Sequence, residues 1–308
     1  MSNLPSDNTY QEFLDELVAA GHLIPSGVQG VYGRSGTFEH IVDQFEHYVT
    51  RMGADQNAEV MRFPPIFNRA HYAKIDHIYN FPDLMGSVHS FTGGSREHAE
   101  MIRKFEGGED WTRDLTPSET MMIPAACYPL YPTAANTTLP PEGRVVDLKA
   151  FVFRHEPSVD PARMQIFRQR EYVRLGTPEQ ALSHRNYWLQ RGKEMLESVG
   201  LAVTAVLADD PFFGRGAKIM KATQREQDLK YELVVPICSN EKPTAVTSCN
   251  CHLDSFGNKF TIKTADGAPA HTSCIGFGLE RITLALFKTH GLDPKAWPDA
   301  VRGVLALT

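Results

Sequence analysis

The chain has 308 residues, of which 42% are apolar and 22% charged, with a formal net charge of −6; this is enough for one large or two modest domains with a sizeable core. The negative balance excludes a global basic field that would draw the chain to nucleic acid or an anionic membrane. The polar, acidic opening is no signal peptide and no apolar run nears the roughly 20 residues of a membrane span, so the chain is expected in a reducing cytoplasm, where its five cysteines read as metal ligands or packing rather than disulfides.

In chain order, residues 9–21 read as an amphipathic helix, with Phe13, Leu14, Leu17 and Val18 on one face and Gly21 as its stop. Residues 37–53 form a second, striped by Phe38, Ile41, Val42, Phe45 and Val49. Residues 58–67 (AEVMRFPPIF) read as a strand, and Pro64-Pro65, unable to donate to a ladder, put it at an edge or a strand end. Residues 144–156 and 163–175, rich in β-branched and aromatic side chains, pair as a hairpin across a proline-bearing turn. Residues 177–200 give the clearest helix: Thr177 caps it, Pro178 suits its first turn, Gln180 completes a capping box and Gly200 ends it. A helix over about 216–229 follows, then short strands near 230–236, 244–250 and 258–264, and a glycine-led helix over 276–291. Strands gathered in the middle and back, without βαβ alternation, predict an α+β fold on an antiparallel sheet flanked by helices.

The hairpin FRHEPSVDPARMQIFRQRE (153–171) is dense in arginine. Residues two apart on a strand share a face, which aligns Arg154 with Glu156, and Arg163 with Phe167 and Glu171. A guanidinium grips phosphate through a planar fork, a carboxylate accepts from an exocyclic amine, and an aromatic ring stacks a base. Together these are the parts of a nucleotide site without a P-loop, and no G-x-x-x-x-G-K-[ST] occurs. The competing reading is a solvated, salt-bridged hairpin.

The stretch resembles motif 2 of class II aminoacyl-tRNA synthetases, F-R-x-E, a loop, then R-x-x-x-F-x-x-x-E, through Phe153, Arg154, Glu156, Arg163, Phe167 and Glu171. GFGLER (276–281) resembles motif 3, and the helix at 37–52 with the strand ending at Pro64-Pro65 resembles motif 1, the usual dimer element. The three follow in the family's order across most of the chain. The resemblance implies ATP contacts from Arg154, Glu156, Arg163, Met164, Phe167 and Arg281, and from Ala245, Thr247, Ser248 and Cys249 on a later strand. Within it Arg154, on the α-phosphate, and Arg281, stacked on adenine opposite Phe167, are the catalytic residues. Glu156 would read the adenine amine and Arg163 the γ-phosphate. Mg2+ is expected with ATP. Its usual carboxylate is missing, because Ala245 stands at that place in AVTSC, and Glu232 is the substitute named here.

SCNCH (249–252 with Ser248) catches the eye as a zinc cluster, but alternation puts Cys249 and Cys251 on one face of a strand and His252 on the other, so these do not converge on one ion. The resemblance supplies a dispersed set instead. In the seryl-tRNA synthetases of certain methanogens a Cys, the Glu ending motif 2 and a Cys before motif 3 hold Zn2+, and Cys127, Glu171 and Cys274 fall at those places. Three ligands leave a position for the substrate's α-amine, which makes Glu171 a substrate-binding residue too. Cys238 reads as packing.

Only about 35 residues precede the motif 1 helix, where such synthetases carry a tRNA-gripping module. One catalytic domain over 1–308 without a tRNA arm resembles the bacterial amino acid:[carrier protein] ligases. The activity implied is adenylation of glycine or alanine and transfer to the phosphopantetheine thiol of a carrier protein, with no tRNA, in a homodimer. An insertion over about 208–230 would meet the acidic carrier through Arg215, Lys218, Lys221 and Arg225. The alternatives are a minimal seryl-type tRNA synthetase and a non-catalytic paralogue that senses an amino acid.

Overall fold

The computed structural model describes residues 7–210, 213 and 217–307. Its centre is a seven-stranded sheet, in the order Glu59–Arg62, Arg144–Phe153, Ile166–Gly176, His271–Gly278, Thr244–Leu253, Lys230–Val235 and Thr204–Leu207. Neighbours are antiparallel except Glu59–Arg62, which runs parallel to Arg144–Phe153 at one edge. This is the expected α+β architecture. Among the described residues no helix is long and apolar enough to cross a membrane.

One face of the sheet is sealed by helices. Pro178–Ser198 lays the fully buried Trp188 across Tyr172 and Phe277. Its Gly192 permits this approach, since a Cβ there would stand 3.0 Å from Ile275 Cδ1. The helix starts as its sequence dictates, with Thr177 accepting from the Gln180 N–H and Gln180 returning to the cap. Gly36–Met52 and Leu279–His290 complete the layer, burying Phe38, Ile41, Phe45 and Phe287.

The arginine-rich strand Ile166–Gly176 divides its charges between two faces. Arg168 and Arg170 turn toward the helices and into ion pairs, Arg168 with Glu39 and Glu280, Arg170 with Asp147 and Glu46. Half of the arginine signal in the hairpin is therefore structural. Arg170 is 2% exposed and holds Asp147 through two bonds of 2.5 Å. Arg170→Ala would strip the buried Asp147 carboxylate of its two short bonds and leave it only Arg62, at 3.5 Å, and is expected to cost about 3 kcal/mol. Urea denaturation measures this, and a loss under about 1 kcal/mol would show the pair to be a bystander.

Three sequence expectations fail locally. Residues 58–67 are split by the prolines into Glu59–Arg62 in the main sheet and Ile66–Asn68, which joins Ser87–Ser90 and Thr116–Met122 in a second sheet. Residues 258–264 are not a strand: Ser255–Phe260 is a helix closed by Thr261 in the left-handed region, and only Lys263 makes bridges. Finally, Gly276–Gly278 ends the strand His271–Gly278, and the helix begins at Leu279. Gly276 lies on the sheet face toward the cavity, while Gly278 ends the strand and is the N-cap of the helix, so the glycine-led start holds at Gly278 alone.

Candidate active site

On the face of the sheet opposite the helices lies a cavity of about 670 Å³. Alternation brings Phe167, Gln169 and Glu171 to it from one strand, and Cys274, Gly276 and Gly278 from the next. Gly276 keeps its floor open, since a Cβ there would lie 3.6 Å from Glu171 Cγ and 3.8 Å from Ser248 Oγ.

At one end two guanidinium groups stand over the ring of Phe167, with that of Arg163 close enough for its charge to reach Arg281. The Arg154 and Arg281 Cζ atoms lie 5.6 Å and 5.7 Å from its ring centroid. Arg154 donates from Nε to the Pro124 carbonyl at 3.0 Å. Arg281 donates to the carbonyls of Ala162 and Ala245 at 2.8 Å and 3.0 Å. Burial, then the charges of Arg154 and Arg163, push the Arg281 guanidinium down to about 10. Arg163 is more loosely held, 3.6 Å from Glu156 and 3.8 Å from Asp160. This end is thus rich in fork-shaped donors, with Glu156 and Asp160 only loosely paired to Arg163.

Deeper in the cavity stand Cys127, Glu171 and Cys274, 3%, 2% and 4% exposed. Glu171 Oε1 accepts from the Ala126 N–H at 3.1 Å, while its buried Oε2 has no hydrogen-bond partner. Burial, then the Cys274 charge, raise the Glu171 carboxyl to about 8. Cys127 interacts with both other residues. Its thiol is pushed up by Cys274 and by burial, whereas Cys274 is held down by Cys127, His252 and Asn250 against the opposing effect of burial. The two thiols lie close enough to interact, and among the described residues no group of three or more His, Cys, Asp or Glu has the spacing of a formed metal site.

Of the other sequence candidates, Glu156, Ala245, Thr247 and Ser248 line the cavity. Met164 and Cys249 do not: both are buried in the core. Glu232 lines the wall but already accepts from Lys230 at 3.0 Å. The basic helix is Ala217–Glu226, shorter than expected. Its Lys221 and Arg225 both pair with Asp209, which offsets part of its charge, and Lys218 is exposed. Arg215 lies outside the described residues.

Sequence reasoning missed the wall made by Asp210, Gln224 and Lys230, in which Lys230 holds Asp210 at 2.6 Å, and it missed His77. That imidazole is boxed by Tyr72, Phe81 and Tyr128, and both its nitrogens are buried and unpaired. No local pattern marks either feature, because each is assembled from distant segments. Burial, helped by Arg154 and opposed by Asp210, lowers His77 to about 4. His184, donating from Nε2 to the Tyr172 carbonyl at 3.1 Å, is lowered to about 4 chiefly by burial. Both folded-state values lie below the unfolded one near 6.5, so their contribution is complete above pH 6.5 and lost as pH falls toward 4, roughly 3 kcal/mol each. Thermal melts are expected to drop steeply across that window, and His77→Phe should flatten the slope. An unchanged slope would place the acid sensitivity elsewhere.

No protein-family model matches the chain. Over 282 residues it is 41% identical to amino acid--[acyl-carrier-protein] ligase 1 of Bradyrhizobium diazoefficiens, covering 91% of this chain and 86% of that one. Over 193 residues it is 27% identical to the type-2 serine--tRNA ligase of Methanopyrus kandleri, covering 59% of this chain but only 37% of the relative. In fold it matches the M. kandleri SerRS crystallised with A. aeolicus tRNASec, with a TM-score of 0.80 over 95% of this chain and 60% of that one at 21% identity.

Proposed function

The chain belongs to the amino acid--[acyl-carrier-protein] ligase family, and from that premise we propose how its cavity performs the two steps of such a ligase. The enzyme activates an amino acid and loads it onto a carrier protein. In the first step an amino-acid carboxylate oxygen attacks the α-phosphorus of ATP, and pyrophosphate leaves. In the second a carrier thiol attacks the carbonyl of the mixed anhydride, AMP leaves, and the thiol proton passes to solvent. The observation that carries the assignment is the pairing of Arg154 and Arg281 over Phe167, with Arg163 beside them, in the same cavity as Cys127, Glu171 and Cys274.

Bound triphosphate relieves the repulsion among the three arginines, so binding energy and catalysis draw on one arrangement. Arg154 neutralises the α-phosphate and Arg163, the most exposed of them, swings to the γ-phosphate. Adenine slots between Phe167 and Arg281. The pair must part by about 1 Å for that, so that each contact reaches the ~3.5 Å of close carbon approach. Glu156 accepts from the adenine amine. Mg2+ accompanies the ATP, as is general for class II synthetases.

Cys127, Glu171 and Cys274 fit Zn2+ by donor chemistry: two thiols, one carboxyl, and a buried Glu171 Oε2 that nothing else satisfies. Bound there, zinc would supply a Lewis-acidic position for the substrate's α-amino nitrogen. Glycine or alanine suits the depth of this end, where Tyr128, His252 and Phe256 close in. The acceptor is the phosphopantetheine thiol of the carrier, reached beside the Ala217–Glu226 helix, whose Lys218 and Ile219 are exposed. A single catalytic domain working as a cytoplasmic homodimer without tRNA completes the reading.

An acceptor assay tests it. The protein is incubated with ATP, Mg2+ and radiolabelled glycine or alanine, and offered holo-carrier protein, apo-carrier protein or total tRNA. Hydroxylamine-labile label on the holo-carrier alone is the expected result. Label on tRNA would make the chain a minimal synthetase, and no ATP–pyrophosphate exchange with any amino acid would make it a sensing paralogue.

A further inference from the structure

The strand Thr244–Leu253 presents a second stripe to the cavity beneath the ATP-facing residues: Ser248, Asn250 and His252. Asn250 stands directly opposite Cys274 in the strand register. Its Nδ2 lies 3.5 Å from the Cys274 sulfur, and also 3.3 Å from Ser248 Oγ. One pair further on, the register slips between Cys251 and Leu253, and Leu253 adopts a φ of 52°. His252 sits in that bulge, which aims its ring at the same sulfur, with Nε2 at 3.7 Å. Its other nitrogen, Nδ1, meets the hydroxyl of the fully buried Thr272 at 3.0 Å. Phe256 closes the ring edge-on at 5.2 Å.

We propose that Asn250 and His252 are positioning residues for Cys274, two N–H donors that fix the direction of its sulfur toward the metal position. With the Thr272 hydroxyl as donor to His252 Nδ1, the ring proton sits on Nε2, facing the sulfur. Two donors converging on one sulfur hold it in a single orientation. The bulge is what lets two residues on one short strand reach one atom. This inference rests on the zinc reading above and assigns residues outside the three ligands to it. Such outer partners of a ligand commonly set 10–100-fold of metal affinity.

The test uses the full chain stripped with a chelator, as wild type and as Asn250→Ala, His252→Ala and His252→Gln. Zinc affinity is read by competition with a chromophoric chelator, and Co2+ loading by the thiolate-to-metal charge-transfer band. Each alanine variant is expected to bind zinc about 10–100-fold more weakly and to shift the cobalt band. His252→Gln, whose amide can still donate, should recover most of the affinity. Because Gln keeps the donor and the volume, it separates positioning from a folding defect. Wild-type affinity and an unshifted band in both alanine variants would overturn the proposal. A wild-type protein that takes up no stoichiometric zinc would overturn the metal reading itself, and the proposal with it.

Discussion

Arg154→Ala is expected to reduce amino-acid-dependent ATP–pyrophosphate exchange by at least about 10²–10³-fold, the usual cost of losing one preorganised donor to transition-state charge. The geometry makes the loss specific. Arg154 leaves the strand at the point where the hairpin turns, half-buried, and its side chain donates to the Pro124 carbonyl. The rest of its fork faces the cavity. Among the described residues it makes no ion pair with a carboxylate, in contrast to Arg170 with Asp147, and its charge reaches Glu171 and Asp210 only as a secondary influence. Stability should therefore hold, with melting displaced by no more than the few degrees that ~1 kcal/mol produces. Arg154→Lys should be nearly as slow, because a point charge on a flexible stem does not reproduce a planar fork. Removing the charge also lightens the repulsion on Arg281, so tighter holding of Arg281 cannot compensate for the missing phosphate contact. Near-normal exchange in a folded Arg154→Ala protein would remove Arg154 from the ATP site.

How far the sequence reveals this site depends on how each residue reaches it. The hairpin was legible because alternation is local: period two alone separates Phe167 and Glu171 from Arg168 and Arg170. What period two cannot say is which face meets solvent, so all the hairpin arginines looked alike, although two of them are buried ion-pair partners. The helix capped by Thr177 was equally readable, since its signals lie within a few residues of its ends, whereas the Ser35 cap of Gly36–Met52 went unread. The GFG of the third motif was legible only in part. Its Gly278 does lead the helix as its N-cap, but only the strand pairing reveals that Gly276 lies opposite Glu171 and Ser248 on the cavity face. His252 is the instructive case. Alternation correctly set it apart from Cys249 and Cys251, but only the pairing of two strands distant in sequence reveals that its face is the one holding Cys274.

Cys127→Ala and Cys274→Ala are each expected to leave the protein with under about a tenth of an equivalent of zinc and without measurable amino-acid activation. The donor set has two thiols and one carboxyl, and thiolates supply most of the affinity of such sites for zinc. With either sulfur gone, Glu171 and a single thiol remain, too few donors to hold the ion in that buried setting. The same argument predicts a stability signature independent of catalysis. A ligand that binds only the folded state stabilises it by about 4 kcal/mol at a thousandfold excess over its dissociation constant. Chelator should therefore lower the wild-type melting temperature by several degrees, since ~1 kcal/mol shifts a chain of this size by roughly 2 °C or more. The two variants should melt identically with and without chelator. Each alanine also vacates a small buried volume, costing on the order of 1 kcal/mol, which sets the variants slightly below the metal-free wild type. Full activation by a variant verified to hold no metal would show that Cys127, Glu171 and Cys274 are core packing, and that the amino group is recognised elsewhere in the cavity.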